Sequence, residues 1–271
     1  MENDNIESMW AFKGAVDYVD EWTLMRNPFY LTLITLSYLL FILKLGPELM
    51  KNRPALKLRK CLIFYNALQV AYSCFLVYKG MHLFLYNGIL GKSCMMDTPE
   101  DRLIITSASY FYFSAKVSEL CDTIFFVLRK KNSQVTFLHV YHHLIAMWCT
   151  WIILKYEPSF SGTFVGTLNS FVHVVMYTYY GLSAYPHLAK YLWWKKYITS
   201  LQLAQFVLII LQAILSKNFS GCPPAFTTTV AINFNAVLFL YLFGKFYIKT
   251  YDKPKDIGKI NKIIEKTSKY N

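Results

Sequence analysis

The sequence predicts an all-α membrane protein of seven transmembrane helices. Three observations carry that prediction. Of the 271 residues, 55% are hydrophobic and only 16% are charged, where a soluble domain carries about 25% charged residues. The charges are clustered, which leaves long stretches almost free of them. Seven of these stretches approach the ~20 residues that a helix needs to cross ~30 Å of hydrocarbon, and a helix satisfies its own backbone hydrogen bonds in lipid.

The predicted spans are 29–47, 61–81, 108–128, 137–155, 162–183, 196–215 and 227–249. The third and fifth are the least apolar. No internal repeat or low-complexity linker divides the chain, so 1–271 reads as one polytopic unit: an N-terminal segment 1–28, the spans 29–249 and a basic tail 250–271. The first 28 residues are mostly polar, with Glu2, Asp4, Glu7, Asp17, Asp20 and Glu21, which argues against a cleavable signal peptide.

The net charge of +12 does not point to nucleic acid, because the basic residues sit in short loops beside apolar spans. One set of loops holds Lys51, Arg53, Lys57, Arg59, Lys60, Arg129, Lys130, Lys131, Lys190, Lys195 and Lys196, and the tail adds Lys253, Lys255, Lys259, Lys262, Lys266 and Lys269. The opposite side holds Lys13, Arg26, Lys92, Arg102 and Lys217. This asymmetry predicts a lumenal N-terminus and a cytosolic C-terminus. Asn218-Phe219-Ser220 is a glycosylation sequon in a predicted non-cytosolic loop, consistent with that orientation. Cys94 and Cys222 fall on the same side. An oxidising lumen permits a disulfide there; two unrelated thiols are the other reading. Cys61, Cys74, Cys121 and Cys149 lie in the spans, where a small buried hydrophobe is the default. No CxxC pair suggests zinc or redox chemistry.

Ionisable residues at membrane depth are costly and mark function by default. His139, His142 and His143 stand at i, i+3 and i+4 at the start of the fourth span, which puts three of the chain's imidazoles on one helix face. In the fifth span, Asn169, His173, Met176, Tyr177 and Tyr180 share a stripe with helical spacing. In the third, Lys116, Glu119, Asp122 and Thr123 share a face. Lys116 and Glu119 are spaced to pair, as a brace or as part of a catalytic site. Gln202 and Gln205 in the sixth span read as interhelical hydrogen-bonding groups.

Four ordered motifs follow: Lys116-x-x-Glu119-x-x-Asp122-Thr123, Gln134-x-x-Phe137-Leu138-His139-x-x-His142-His143, Asn169-x-x-x-His173-x-x-Met176-Tyr177-x-x-Tyr180, and Thr199-x-x-Gln202-x-x-Gln205-Phe206. Together, over roughly residues 110–206, they resemble the fatty acid elongase (ELO) family of 3-oxoacyl-CoA synthases. Val140, with Gln134 five residues before His139, resembles members acting on polyunsaturated or very long saturated chains. The resemblance implies six helices ringing a narrow acyl tunnel open to the cytosol, with the first helix outside. It also implies residence in the endoplasmic reticulum membrane. The expected reaction condenses a long-chain acyl-CoA with malonyl-CoA, giving a 3-oxoacyl-CoA two carbons longer, carbon dioxide and CoA.

Splitting that condensation through a covalent intermediate avoids holding two CoA thioesters at once. No cysteine falls in a polar cluster, and imidazole is a nucleophile near neutral pH. The resemblance implies an acyl-imidazole on His142, with His173 opposite as base or enolate stabiliser and His139 and His143 orienting them. Asn169, Tyr177 and Tyr180 are candidate oxyanion donors. Lys116, Glu119, Asp122, Gln202 and Gln205 are supporting residues. No cofactor or metal is expected beyond the two CoA substrates. The bilayer is an expected partner, with the reductases and dehydratase of the elongation cycle, or a second copy of the chain, as further candidates. The main alternative is a di-iron membrane desaturase or hydroxylase, since imidazole is a good iron ligand. Such enzymes carry about eight histidine ligands, whereas this chain has six histidines, with His82 and His187 far from the box. A transporter with a histidine proton relay is a third class; it leaves the four motifs unexplained.

Overall fold

The computed structural model describes residues 14–252. Lys13, the acidic residues Glu2, Asp4 and Glu7, and the tail lysines from Lys253 to Lys269 lie outside the described residues. All regular structure among the described residues is helical. The long helical segments are α1 (Phe29–Met50), α2 (Arg59–Asn87), α3 (Pro99–Ser118), α4 (Leu120–Leu128), α5 (Phe137–Tyr156), α6 (Phe160–Ser183), α7 (Lys195–Phe219) and α8 (Phe226–Tyr247).

Five of them are long and apolar enough to cross a membrane: α1, α2, α5, α7 and α8. The segments outside that group are α3 with α4, and α6. These are the predicted third and fifth spans, which carry the intramembrane charges and amides. Large apolar side chains such as Leu36 (60% exposed), Leu43 (67%) and Leu85 (84%) point outward. That surface suits lipid, which solvates leucine as well as a protein core does.

Local sequence sets the helix ends. Thr136 caps α5 by accepting the His139 N–H at 3.2 Å, which fixes the backbone where the histidine box begins. The Asp101 N–H bonds to Thr98 Oγ1 at 3.1 Å, with Pro99 in the first turn. Proline loses nothing there, because its missing N–H has no helical partner. The apolar pattern places the start of the third span at 108; the helix begins nine residues earlier, on this Thr-Pro-Glu-Asp start signal. In α1 a π-helical turn, Phe41–Leu45, precedes Pro47. Proline lacks an N–H and its ring crowds the carbonyl four residues back, so the widened turn absorbs it.

Helix pairs α2–α6, α6–α7, α7–α8, α8–α5, α5–α3 and α3–α2 pack in a closed cycle of neighbours, while α1 packs mainly on α4. The α2–α6 contact is the most extensive. Its closeness depends on Gly80, because a Cβ there would collide with Thr167. One end of the molecule carries the basic loops around Arg59 and Arg129–Lys131. At the other end Cys94 is disulfide-bonded to Cys222, Cα–Cα 4.8 Å. The Gly221 N–H and the Ser220 hydroxyl bond to Gly91 O at 3.0 and 2.9 Å. Gly91 has φ +81°, a left-handed conformation that suits glycine. Asn218 lies not in a loop but in the last turn of α7, exposed, with Nδ2 donating to Ile214 O at 2.8 Å.

The N-terminal segment is tied to this disulfide end. Lys155, fully buried, pairs with Asp20 at 2.7 Å and donates to Met25 O at 2.7 Å and Arg26 O at 3.1 Å. Trp151 Nε1 donates to Leu24 O at 2.8 Å. Nearby, Glu157 accepts from the Thr227 and Thr228 hydroxyls at the start of α8. These bonds hold its carboxyl below the usual carboxylate range.

Candidate active site

The polar groups predicted at membrane depth converge, but in three clusters. The central one is built on Glu119, at the break between α3 and α4. Lys116 Nζ donates to both Glu119 oxygens at 2.7 and 2.9 Å, and to Asn169 Oδ1 on α6 at 2.7 Å. His173 Nδ1 lies 3.0 Å from Glu119 Oε1. All four residues are at most 7% exposed. An ionised carboxylate only accepts, so His173 carries its hydrogen on Nδ1 and keeps a lone pair on Nε2. The Asn169 amide is held from both sides: its oxygen also accepts from Tyr112 OH at 3.0 Å, and its Nδ2 faces Gln205 Oε1 at 3.4 Å. Gln205 thus bridges α6 and α7, and Gln202 Nε2 faces Met176 Sδ across the same pair at 3.9 Å.

A second cluster joins Tyr177 to Asp122, with Tyr177 OH donating to Oδ2 at 2.7 Å. This corrects one expectation: the single Tyr177 donor is used on Asp122 and is not free for an oxyanion. Tyr180 stacks edge-on against Tyr177 at 6.3 Å and is 40% exposed. In the third cluster Thr123 Oγ1 is hydrogen-bonded to Tyr38 OH at 2.7 Å and to His139 Nε2 at 2.9 Å.

The histidine box shares a stripe, with ring centroids 4.4 Å apart for His139–His143 and 5.5 Å for His142–His143, but its members face different surroundings. His139 turns to Thr123. His143 turns to Glu119, its Nδ1 3.9 Å from Oε2 and without a hydrogen-bond partner. His142 packs against Phe239 of α8, centroids 5.0 Å apart. Neither His139 nor His143 hydrogen-bonds to His142 among the described residues, so any orienting effect acts through ring packing.

His142 alone of the four site histidines lines a cavity of about 150 Å³. Asn169 and Gln205 stand beside it on the wall, which continues through apolar side chains such as Ile145, Ile209 and Phe239 to Ile153 and Ala231. The eleven residue steps from His142 to Ile153 correspond to ~16 Å along α5. A mostly apolar cavity with a few convergent polar groups is the usual form of a ligand site.

Other placements differ from expectation. Cys61 and Cys74 are exposed on the outer face of α2, not buried, and Cys149 borders the cavity. Tyr112 is a site residue that the sequence motifs do not include. It stands four residues before Lys116, whose ammonium lies 4.9 Å from its ring centroid, and that i, i+4 spacing is the available signal. Lys155 lies outside the motifs as well, although a lysine inside an apolar run is itself a signal.

Fold and polar cluster together define a helical membrane protein whose charged groups converge beside an apolar cavity, and the chain belongs to the ELO family. The family profile, described as GNS1/SUR4 family, matches residues 23–259. The chain is similar to very long chain fatty acid elongase 4 of Homo sapiens, 40% identical over 93% of this chain and 81% of that protein. It is also similar to elongase 7 of Rattus norvegicus (41%; 91% and 89%) and elongase 1 of Homo sapiens (39%; 90% and 89%).

Proposed function

We propose that this chain is the condensing enzyme of fatty acid elongation, joining a long-chain acyl-CoA to the two-carbon unit of malonyl-CoA. In this reading it crosses the endoplasmic reticulum membrane seven times, with α3 and α4 forming one crossing. The N-terminus is lumenal, the C-terminus cytosolic, and the ring of six encloses the acyl tunnel. The basic loops then face the cytosol, where they meet the CoA phosphates, and the disulfide lies in the oxidising lumen.

The observation that carries the proposal is the position of His142 on the wall of a mostly apolar cavity that Asn169 also lines, Asn169 being bonded to the same buried Lys116–Glu119 pair that orients His173. A His142 ring nitrogen attacks the thioester carbonyl. The C–S bond breaks, and CoA leaves as a thiol after taking a proton. Malonyl-CoA then loses carbon dioxide, and its C2 carbanion attacks the acyl-imidazole carbonyl. The C–N bond breaks, the 3-oxoacyl-CoA departs and the imidazole is restored. His173, anchored through Nδ1, offers Nε2 to the proton that moves or to the enolate. Asn169 and Gln205 amides line the wall where the oxyanion develops, and one such donor is typically worth ~3 kcal/mol.

Microsomes expressing the chain, given radiolabelled malonyl-CoA and an acyl-CoA panel, test the reaction. Peptide mass spectrometry after acyl-CoA alone tests the intermediate: an adduct is expected within 139–143, and His142→Ala abolishes it. An adduct on His173 instead reverses the two roles. No adduct on any histidine, with no CoA released before malonyl-CoA is added, replaces the covalent route with direct transfer.

A further inference from the structure

Helix α1 lies outside the closed cycle of helices, yet it reaches the histidine box. Tyr38 of α1 is buried, and its hydroxyl meets Thr123 Oγ1 of α4 at 2.7 Å. Thr123 is fully buried as well, and the same oxygen meets His139 Nε2 of α5 at 2.9 Å. One hydroxyl therefore joins an outer helix to the first histidine of the box. Neither Tyr38 nor Thr123 takes part in the condensation steps.

Counting hydrogens fixes the direction of this chain of contacts. Each hydroxyl carries one hydrogen, and a neutral imidazole carries one on either ring nitrogen. Neither hydroxyl has another hydrogen-bond partner among the described residues. If Tyr38 donates to Thr123 and Thr123 donates to His139 Nε2, both hydroxyl hydrogens are used. If His139 donates from Nε2 instead, one hydroxyl hydrogen, on Tyr38 or on Thr123, has no acceptor. A buried donor left unpaired costs its lost hydration, so the first arrangement is favoured, and it puts the His139 hydrogen on Nδ1. No such cost arises there, because His139 Nδ1, unlike His143 Nδ1, is not a buried atom without a partner.

The ring held in this way is one that packs on the rest of the box. Its centroid lies 4.4 Å from that of His143 and 5.1 Å from that of Phe126, and His143 lies 5.5 Å from His142. Turning the His139 ring over would put a carbon where Nε2 now stands and break the Thr123 bond. We propose that Tyr38 is a positioning residue for the condensation: through Thr123 it holds His139 in one ring orientation, with the hydrogen on Nδ1, and so sets how His139 packs against His143. The catalytic half of this proposal rests on the elongation reading; the placement of the hydrogen does not. A second polar tie from α1 to α5, Trp148 Nε1 to Thr35 Oγ1 at 3.1 Å, passes through no histidine and serves as the control.

The test uses the full chain in membranes, labelled with nitrogen-15 in histidine. At about pH 8, above the ~6.5 of a free imidazole, solid-state spectra separate ring nitrogens that carry a hydrogen from those that do not, and His139→Gln identifies the His139 signals. Wild type is expected to carry the His139 hydrogen on Nδ1. Tyr38→Phe lets Thr123 accept as well as donate, so hydrogen is expected on Nε2 too; Thr123→Val has the same effect, and Thr123→Ser keeps the wild-type pattern. Tyr38→Phe and Thr123→Val are also expected to lower kcat about 2- to 10-fold, the worth of one neutral hydrogen bond, with KM within about 2-fold. Trp148→Phe is expected to leave the His139 signals where they are. Hydrogen on Nε2 in wild type, or signals unmoved by Tyr38→Phe and Thr123→Val alike, overturns the relay. A response to Thr123→Val alone overturns the part given to Tyr38, as does a Trp148→Phe shift as large as that of Tyr38→Phe. Shifted signals with unchanged kcat overturn the catalytic half. A wild type that forms no elongation product overturns the elongation reading, while the spectra still decide the placement of the hydrogen.

Discussion

Glu119→Gln is the most informative single change. Glu119 binds the Lys116 ammonium through both oxygens and His173 through one, at 2% exposure. The introduced amide cannot balance the ammonium, which is left buried and unpaired. Breaking a buried pair on one side costs about 3–5 kcal/mol, or a melting temperature about 6–20 °C lower for a chain of this size. Adding Lys116→Met removes the orphaned charge, and most of the stability returns, because replacing both members of a buried pair is close to neutral. Activity does not return with it. The amide at position 119 no longer fixes the hydrogen on His173 Nδ1, and losing a positioned acid–base group costs about 100-fold or more. Thermal unfolding in detergent and elongation in microsomes are measured on both single variants and the double. A Glu119→Gln variant within about 1 kcal/mol of wild type, far short of the loss expected for a broken buried pair, would falsify the view that one carboxylate serves both purposes. So would a double variant that regains turnover together with stability.

Four other outcomes are expected. Replacing Cys94 and Cys222 by Ser removes a crosslink between residues 128 apart and lowers stability by about 2–4 kcal/mol; non-reducing mass spectrometry establishes the bond, and two free thiols refute it. Lys155→Met removes the ion pair to Asp20 and the bonds to the Met25 and Arg26 carbonyls and loosens the 14–28 segment, so limited proteolysis is expected to cut there first; unchanged protection refutes the latch. In sealed microsomes a tag at the C-terminus is expected to be digested before detergent is added, and protection reverses the proposed orientation. Glu157, with a depressed carboxyl pKa, contributes stability above its unfolded value, about 4.3, and loses it as pH falls through the folded value. Hydrogen exchange at 225–229 is expected to quicken below about pH 4, and Thr227→Val with Thr228→Val removes that response.

Helix positions and the polar faces were legible because a charge inside an apolar run is conspicuous. The Lys116–Glu119 pair followed from spacing alone, and the structure makes it. Which way an apolar residue points was not legible. Lipid and protein core are equally apolar, so Cys61 and Cys74 read the same whether they face one or the other, and the cavity wall at Ile145, Ile209 and Phe239 reads as ordinary packing. Partner choice was also hidden. Tyr177 and Asn169 share a stripe on α6, yet α3 and α4 commit one to Asp122 and the other to Lys116, and no pattern within α6 records that. The start of α3 was missed because charges at Glu100, Asp101 and Arg102 masked a good capping sequence.

The close contact at Gly80 has a consequence for biosynthesis. The most extensive helix pair, α2 with α6, joins segments far apart in translation: α2 ends at Asn87 and α6 at Ser183. At roughly 5–20 residues per second, α2 waits on the order of 5–20 s in the bilayer before its main partner has been made. Until then the notch at Gly80 and the flank carrying Lys79 face lipid or whatever tends the nascent chain. The Cys94–Cys222 bond comes later still, because Cys222 follows α7. It therefore forms only in chains in which α1 to α7 have already been made, and it ties the α2–α3 connection to the α7–α8 connection at the point where α8 begins.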